Sequence, residues 1–316
     1  MKPISLHPLK ICRLTLLLAA FALISCTSPA TLPAAEPSTP SPQSPFPSLP
    51  PTLSSSPTAN LPEQQYEEGK ALLQKGEVDK AIEIFDRILS EQPDYALAYL
   101  QRAIAKDLKG DYESALADFN KAVELKPQDA TILNTRGMFF AGHQKLEEAL
   151  TDFSLAIEIN QQYASAYSNR ASVYAMQGNF EKALVDFNKA IELDSSKADI
   201  YFNRGTVYWQ LMQLEQAVQD FRKYIEMSPE DPSGYFRLAG VYLDLEDYDS
   251  ALHNINKAIE LAPQMAEFYF IRGQIYASKR LTDNAIADFR KVIELSTDED
   301  LTSQAEELLK ELGATP

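Results

Sequence analysis

Ala81, Ala115, Ala149, Ala183, Ala217, Ala251 and Ala285 stand 34 residues apart, each from the next. Four residues after each comes a large apolar side chain: Phe85, Phe119, Phe153, Phe187, Phe221, Ile255 and Phe289. The period holds seven times without an insertion. A repeat of this length is one supersecondary unit, and such a unit cannot bury its apolar face alone. Neighbouring units must therefore stack into a quasi-one-dimensional array.

Each unit divides into two helical halves. In the unit that starts at Ala198, Tyr201, Gly205 and Tyr208 share one stripe, and Ala217, Phe221 and Tyr224 share another that ends at Pro229. Apolar spacings of three, four and seven are those of amphipathic helices, and proline is a stop signal. A small residue recurs in the first half as Gly69, Ala103, Gly137, Ala171, Gly205, Ala239 and Gly273. Small side chains there and in the alanine column allow two helices to approach closely, and the Tyr and Phe side chains fill the space between neighbouring pairs.

This period and these residues resemble the tetratricopeptide repeat over residues 62–297. Departures are mild: Gln161, Ser195 and Thr297 stand where the family ends a unit with Pro, Lys106 replaces an aromatic, and Gln65 and Glu68 make the first helix more polar. The resemblance implies an all-α fold, a right-handed superhelical solenoid of seven helix-turn-helix units. The units run approximately over 62–95, 96–129, 130–163, 164–197, 198–231, 232–265 and 266–299. Leu301, Ala305, Leu308 and Leu312 form an apolar stripe on a further helix over 298–312, with Glu306, Glu307, Lys310 and Glu311 elsewhere on it. That is the capping helix a solenoid needs for solubility.

Two columns carry charge. Arg102, Arg136, Arg170, Arg204 and Arg272 occupy one first-helix position, and Asp118, Asp152, Asp186, Asp220 and Asp288 lie sixteen residues on. The two remaining units have neither: Glu68 with Ile84, and Leu238 with Asn254. Pairing within a unit matches every case, so we expect a structural Arg–carboxylate bridge between the two helices of a unit. The alternative is shared ancestry of five similar units without contact.

The first sixty residues read differently. Lys2, Lys10 and Arg13 precede an apolar run of eleven residues, Leu14–Ile24, broken only by Thr15. The run is shorter than the roughly 20 residues that span a bilayer and has the flanks of a secretory signal. Its end, Leu23-Ile24-Ser25-Cys26, resembles a bacterial lipobox, which implies cleavage after residue 25 and acylation of Cys26. An ordinary cleaved signal with an incidental cysteine is the alternative. Cys12 would leave with the signal, so no disulfide is expected. In lipoproteins of two-membrane bacteria an Asp after the lipidated Cys favours the inner membrane. Here Thr27 follows, so the resemblance implies the outer membrane and an extracytoplasmic, periplasmic face. Residues 26–61 then form a disordered linker, since the stretch from 27 to 62 holds eleven of the nineteen prolines along with many Ser and Thr.

No active-site constellation stands out. His143 and His253 fall in different units at different positions and His7 lies in the signal, which gives no metal-ligand spacing. No Gly-rich phosphate loop is present. The expectation is a non-enzyme with no cofactor and no metal. With 45 acidic residues against 29 basic ones the chain lacks the basic footprint of a nucleic-acid binder, and loss of the signal would leave 26 basic residues and a net charge of −19.

The resemblance places ligands, peptides or helices of other proteins, in a groove lined by the first helices. Those positions read Tyr66, Leu97, Leu100, Ile104, Asn134, Met138, Ser168, Met176, Phe202, Trp209, Phe236, Leu243, Phe270 and Gln274. Phe202, Phe236 and Phe270 recur at one position beside Trp209, and they face either the groove or the core between units. Asn169 and Asn203 could bond a ligand backbone. With Asp199, Asp244 and Glu267 nearby, the expected partner segment is apolar or aromatic with some basic character. No small-molecule substrate is expected. The function this suggests is a lipid-anchored interaction scaffold of the cell envelope. The alternatives are a self-associating spacer and an adaptor of a cell-wall enzyme.

Overall fold

The computed structural model describes residues 61–315. Cys26, the signal and the linker lie outside the described residues. Fifteen α-helices and no strands occur among the described residues, and the helices alternate with short turns. They form two compact units, 61–161 and 162–315. The first holds α1 (Leu61–Gln74), α2 (Val78–Glu91), α3 (Ala96–Leu108), α4 (Tyr112–Leu125), α5 (Ala130–Gly142) and α6 (Leu146–Ile159). The second holds α7 (Ala164–Met176), α8 (Phe180–Leu193), α9 (Ala198–Gln210), α10 (Leu214–Met227), α11 (Pro232–Asp244), α12 (Tyr248–Leu261), α13 (Ala266–Ser278), α14 (Thr282–Leu295) and α15 (Glu299–Glu311). Odd-numbered helices up to α13 are first helices, and each packs against the even-numbered helix that follows it. This is the all-α solenoid architecture of stacked helix pairs.

One turn closes every pair. The residue two beyond the first helix has positive φ in all seven: Gly76, Gly110 and Gly178, but also Gln144, Met212, Glu246 and Arg280. Two backbone bonds tie the turn down, as Met212 N to Trp209 O at 3.0 Å and Gln213 N to Tyr208 O at 2.9 Å. Such a left-handed residue satisfies carbonyls that the helix end leaves open. Glycine adopts it freely, whereas the other four side chains are held there against about 1 kcal/mol of strain.

Where the first helix carries glycine, the helices come closer still. A Cβ on Gly69, Gly137 or Gly273 would lie 2.7 Å from the ring of Phe85, Phe153 or Phe289. These rings are fully buried, and the alanine column around them is closed to solvent. In unit 162–315, α15 covers the end of the core with Ala305 and Leu309, both fully buried. The inward stripe is thus centred one residue from the Leu308 expected from the sequence, and Leu301, Leu308 and Leu312 are partly buried beside it.

Candidate functional site

Charged side chains link the helices before any ligand surface is built. Arg272 Nε and Nη2 donate to the two carboxylate oxygens of Asp288, each at 2.8 Å, and Nη1 reaches Asn256 on the preceding pair at 2.9 Å. Arg204 does the same with Asp220 (2.8 and 2.7 Å) and Asn188 (2.6 Å). Arg136 holds Asp152 and Asn120, and Arg102 holds Asp118 and Asp86. Arg170 grips Asp186 in the same two-point way. The guanidinium carbons lie 5.3–6.0 Å from the centres of aromatic rings of their own helices: Tyr269 and Tyr276 for Arg272, Tyr201 and Tyr208 for Arg204, Tyr167 and Tyr174 for Arg170. Bonds to Asp288 hold the Arg272 guanidinium above its ordinary range despite burial. The bond into the preceding pair was missed from the sequence, although Asp86, Asn120, Asn188 and Asn256 share one column.

The pair α11–α12 abandons this arrangement. Leu238 replaces the arginine and Asn254 the aspartate, and Asn254 Nδ2 donates to Ser250 O of its own helix at 2.8 Å. In the column that supplies Asp86, Asn120, Asn188 and Asn256, α10 offers Arg222, which donates to Tyr242 Oη at 2.5 Å. The cation has moved from one helix to its neighbour. A second cation, Arg237, lies one residue before Leu238 and is 2 % exposed. Its guanidinium sits 5.9 Å from the centre of the Phe202 ring and 5.6 Å from that of Phe236. Burial pulls its pKa down to about 10.

The expected groove positions divide. Phe270, taken from the sequence as a possible partner contact, is 7 % exposed and packs on Phe289 with ring centroids 5.9 Å apart, so it is a core residue. Tyr66, Leu100, Asn134, Leu243 and Gln274 are likewise buried. Burial pushes the Tyr66 hydroxyl up to about 12. The reason is common to them: a first helix packs on its own second helix and on its neighbours, which turns much of the supposed lining inward. Phe202 and Phe236 remain half-buried, with Phe202 against Phe221 and Tyr224, and Phe236 against Phe268. Asn169 and Asn203 are also half-buried, on α7 and α9.

Trp209 is the most constrained member. Its Nε1 donates to Asp244 Oδ2 on α11 at 2.7 Å, and its ring meets Phe221 edge-on with centroids 6.4 Å apart. The benzo end of the indole occupies the place of a side chain on Gly240, where a Cβ would lie 2.5 Å from Cη2. The sequence placed Asp244 near Trp209 but carried no signal for their direct bond or for Gly240.

Comparison with known proteins follows the same lines. Models of the tetratricopeptide repeat match residues 66–130, 236–300 and 198–231, and a TPR repeat model matches 143–178 and 172–211. No match was found among the curated proteins. Among solved structures, YrrB, described as a TPR protein with an unusual peptide-binding site, is 25 % identical with a TM-score of 0.52, covering 60 % of this chain and 97 % of its own. PilW, described as a widely conserved type IV pilus biogenesis factor, is 18 % identical with a TM-score of 0.62, covering 67 % and 98 %. A tetratricopeptide repeat protein from Parabacteroides merdae is 19 % identical with a TM-score of 0.59, covering 79 % and 98 %. At their level of identity the last two speak to the fold alone.

Proposed function

The chain belongs to the tetratricopeptide repeat family, and from that premise we propose that it is a protein-interaction scaffold, held at the bacterial cell envelope by lipid on Cys26. It binds an apolar or aromatic, partly basic segment of a partner protein on the first-helix face of α9 and α11 and performs no catalysis. The observation that carries the reading is the half-buried aromatic group Phe202, Trp209 and Phe236. Aromatic side chains clustered in a largely desolvated patch are the usual energetic centres of protein interfaces. The peptide-binding description of YrrB supports the same use of the fold. For the anchor the support is the Leu23-Ile24-Ser25-Cys26 sequence after a short apolar run. Two or more acyl chains make such an anchor stable, since each buried methylene contributes about 0.8 kcal/mol. Thr27 favours an outer-membrane position facing the periplasm.

One comparison tests both halves. The full-length protein, Cys26→Ser and the double variant Phe202→Ala/Phe236→Ala are expressed in the native host, labelled with a fatty-acid probe and purified with their partners. Cys26→Ser is expected to lose label and membrane partition. The Phe variant is expected to keep label and to stay folded at a lowered melting temperature, since both rings pack on core residues, while losing its co-purifying protein below that temperature. A labelled Cys26→Ser protein overturns the anchor. A Phe variant that retains its partner overturns the binding face.

A further inference from the structure

Resting on that binding face, a more specific site can be read from Trp209, Gly240 and Asp244. The molecule displays its own solution to recognising a guanidinium: an aromatic face beside it and a carboxylate at its fork. It uses this for Arg170, Arg204 and Arg272, each against two Tyr rings and one Asp. Trp209 and Asp244 bring together the same two chemical groups on the first-helix side, spanning α9 and α11, next to the pair whose internal Arg–Asp bridge has become Leu238 and Asn254.

We propose that Trp209 and Asp244 form a subsite for an arginine side chain of the partner segment, stacked on the indole and paired to the carboxylate. The indole N–H uses one acceptor position of Asp244, and an ionised carboxylate offers about four. Both residues are half-buried, so they are open to a ligand and also partly shielded from water. Partial desolvation strengthens attraction between a cation and an indole, and the planar, weakly hydrated guanidinium suits stacking better than an ammonium does. The platform is preorganised: Asp244 holds the indole nitrogen, Phe221 meets the ring edge-on, and Gly240 leaves the space that the benzo end fills. Charge agrees, since acidic residues outnumber basic ones 45 to 29.

Trp209 is the sole tryptophan of the chain, so its fluorescence reports on this place alone. The full-length protein in detergent is titrated with the acetylated, amidated peptide Leu-Ala-Arg-Ala-Leu and with the same peptide carrying citrulline, the neutral isostere, in place of Arg. The arginine peptide is expected to bind about tenfold more tightly. Asp244→Asn keeps an acceptor for the indole N–H and removes the charge, and it should erase that preference at an unchanged melting temperature. Gly240→Ala keeps the charge, displaces the indole and should also erase it. Equal binding of the two peptides to the wild type overturns the arginine subsite while leaving the binding face intact. A preference that survives in Asp244→Asn overturns it as well. So does an indole signal that neither peptide moves, in which case the partner retained or lost by the Phe variant above still decides the binding face separately.

Discussion

The helix pairs α11–α12 and α13–α14 are neighbours of equal length with opposite answers to the same buried position. In α13–α14, Arg272 is a two-way staple: it grips Asp288 within the pair and reaches back to Asn256 on α12. In α11–α12 the staple is dismantled at both ends at once, with Leu238 3 % exposed and Asn254 bonded to its own helix. Losing both charges together strands neither member of the bridge. The repeat therefore does not need the bridge in order to fold, and every unit carries both of its residues or neither. The freed first helix instead carries Gly240 and Asp244, which seat Trp209.

The sharpest way to break this contrast is to halve the bridge in α13–α14. Asp288 is 5 % exposed, so Asp288→Ala strands the Arg272 guanidinium and is expected to cost about 3 kcal/mol. Copying the neighbour with Arg272→Leu and Asp288→Asn together should cost clearly less than Asp288→Ala alone. Chemical denaturation of the single and double variants measures the difference. If the losses simply add, Arg272 and Asp288 are uncoupled and the staple is not a unit.

How much of this was legible beforehand depended on whether a feature repeats. The helix pairs, the Gly–Phe approach and the Arg and Asp columns recur every 34 residues, so one sequence contained its own comparison. Even the backward bond to Asn256 had a column, with Asp86, Asn120 and Asn188, that could have been read. Features that occur once had no such support. Arg237 followed by Leu238 is only a dipeptide in the sequence, and nothing in it says that the cation is buried between Phe202 and Phe236. Phe270 went wrong for a related reason. Its position matches Phe202 and Phe236, but it is buried against Phe289 within the large core of unit 162–315, which α15 helps to cover.

A smaller effect sharpens the comparison at the turns. Gly178 and Glu246 occupy the same left-handed position, at φ 74° and 59°. Glu246→Gly removes the strain of a side chain there but adds freedom to the unfolded chain, so the net gain should be about 0.5 kcal/mol. Gly178→Ala introduces the strain and is expected to cost about 1 kcal/mol. Melting temperatures should move in opposite directions for the two changes. A loss for Glu246→Gly would mean that the Glu246 side chain supplies something the turn geometry does not show.

The smallest expected effect concerns how the second helices begin. Asp247 caps α12 by accepting the backbone N–H of Ser250 at 3.1 Å, whereas Gln213 at the same place before α10 makes no side-chain cap. Bonds from Ser250 hold the Asp247 carboxyl below its ordinary range. A carboxyl whose pKa is lowered by folding contributes stability at every pH above its unfolded value, near 3.9, and loses it as pH falls through the lower folded value. The cap of α12 should therefore weaken only below about pH 4, and Asp247→Asn, which can still accept the Ser250 N–H, should flatten that part of the pH–stability curve. Gln213→Asp should give α10 the same acid sensitivity together with up to about 1 kcal/mol of added stability at neutral pH. Stability measured from pH 7 down to about pH 2 for the wild type and both variants decides the matter. If Gln213→Asp leaves the curve unchanged, the cap contributes nothing beyond what the turn before α10 already supplies.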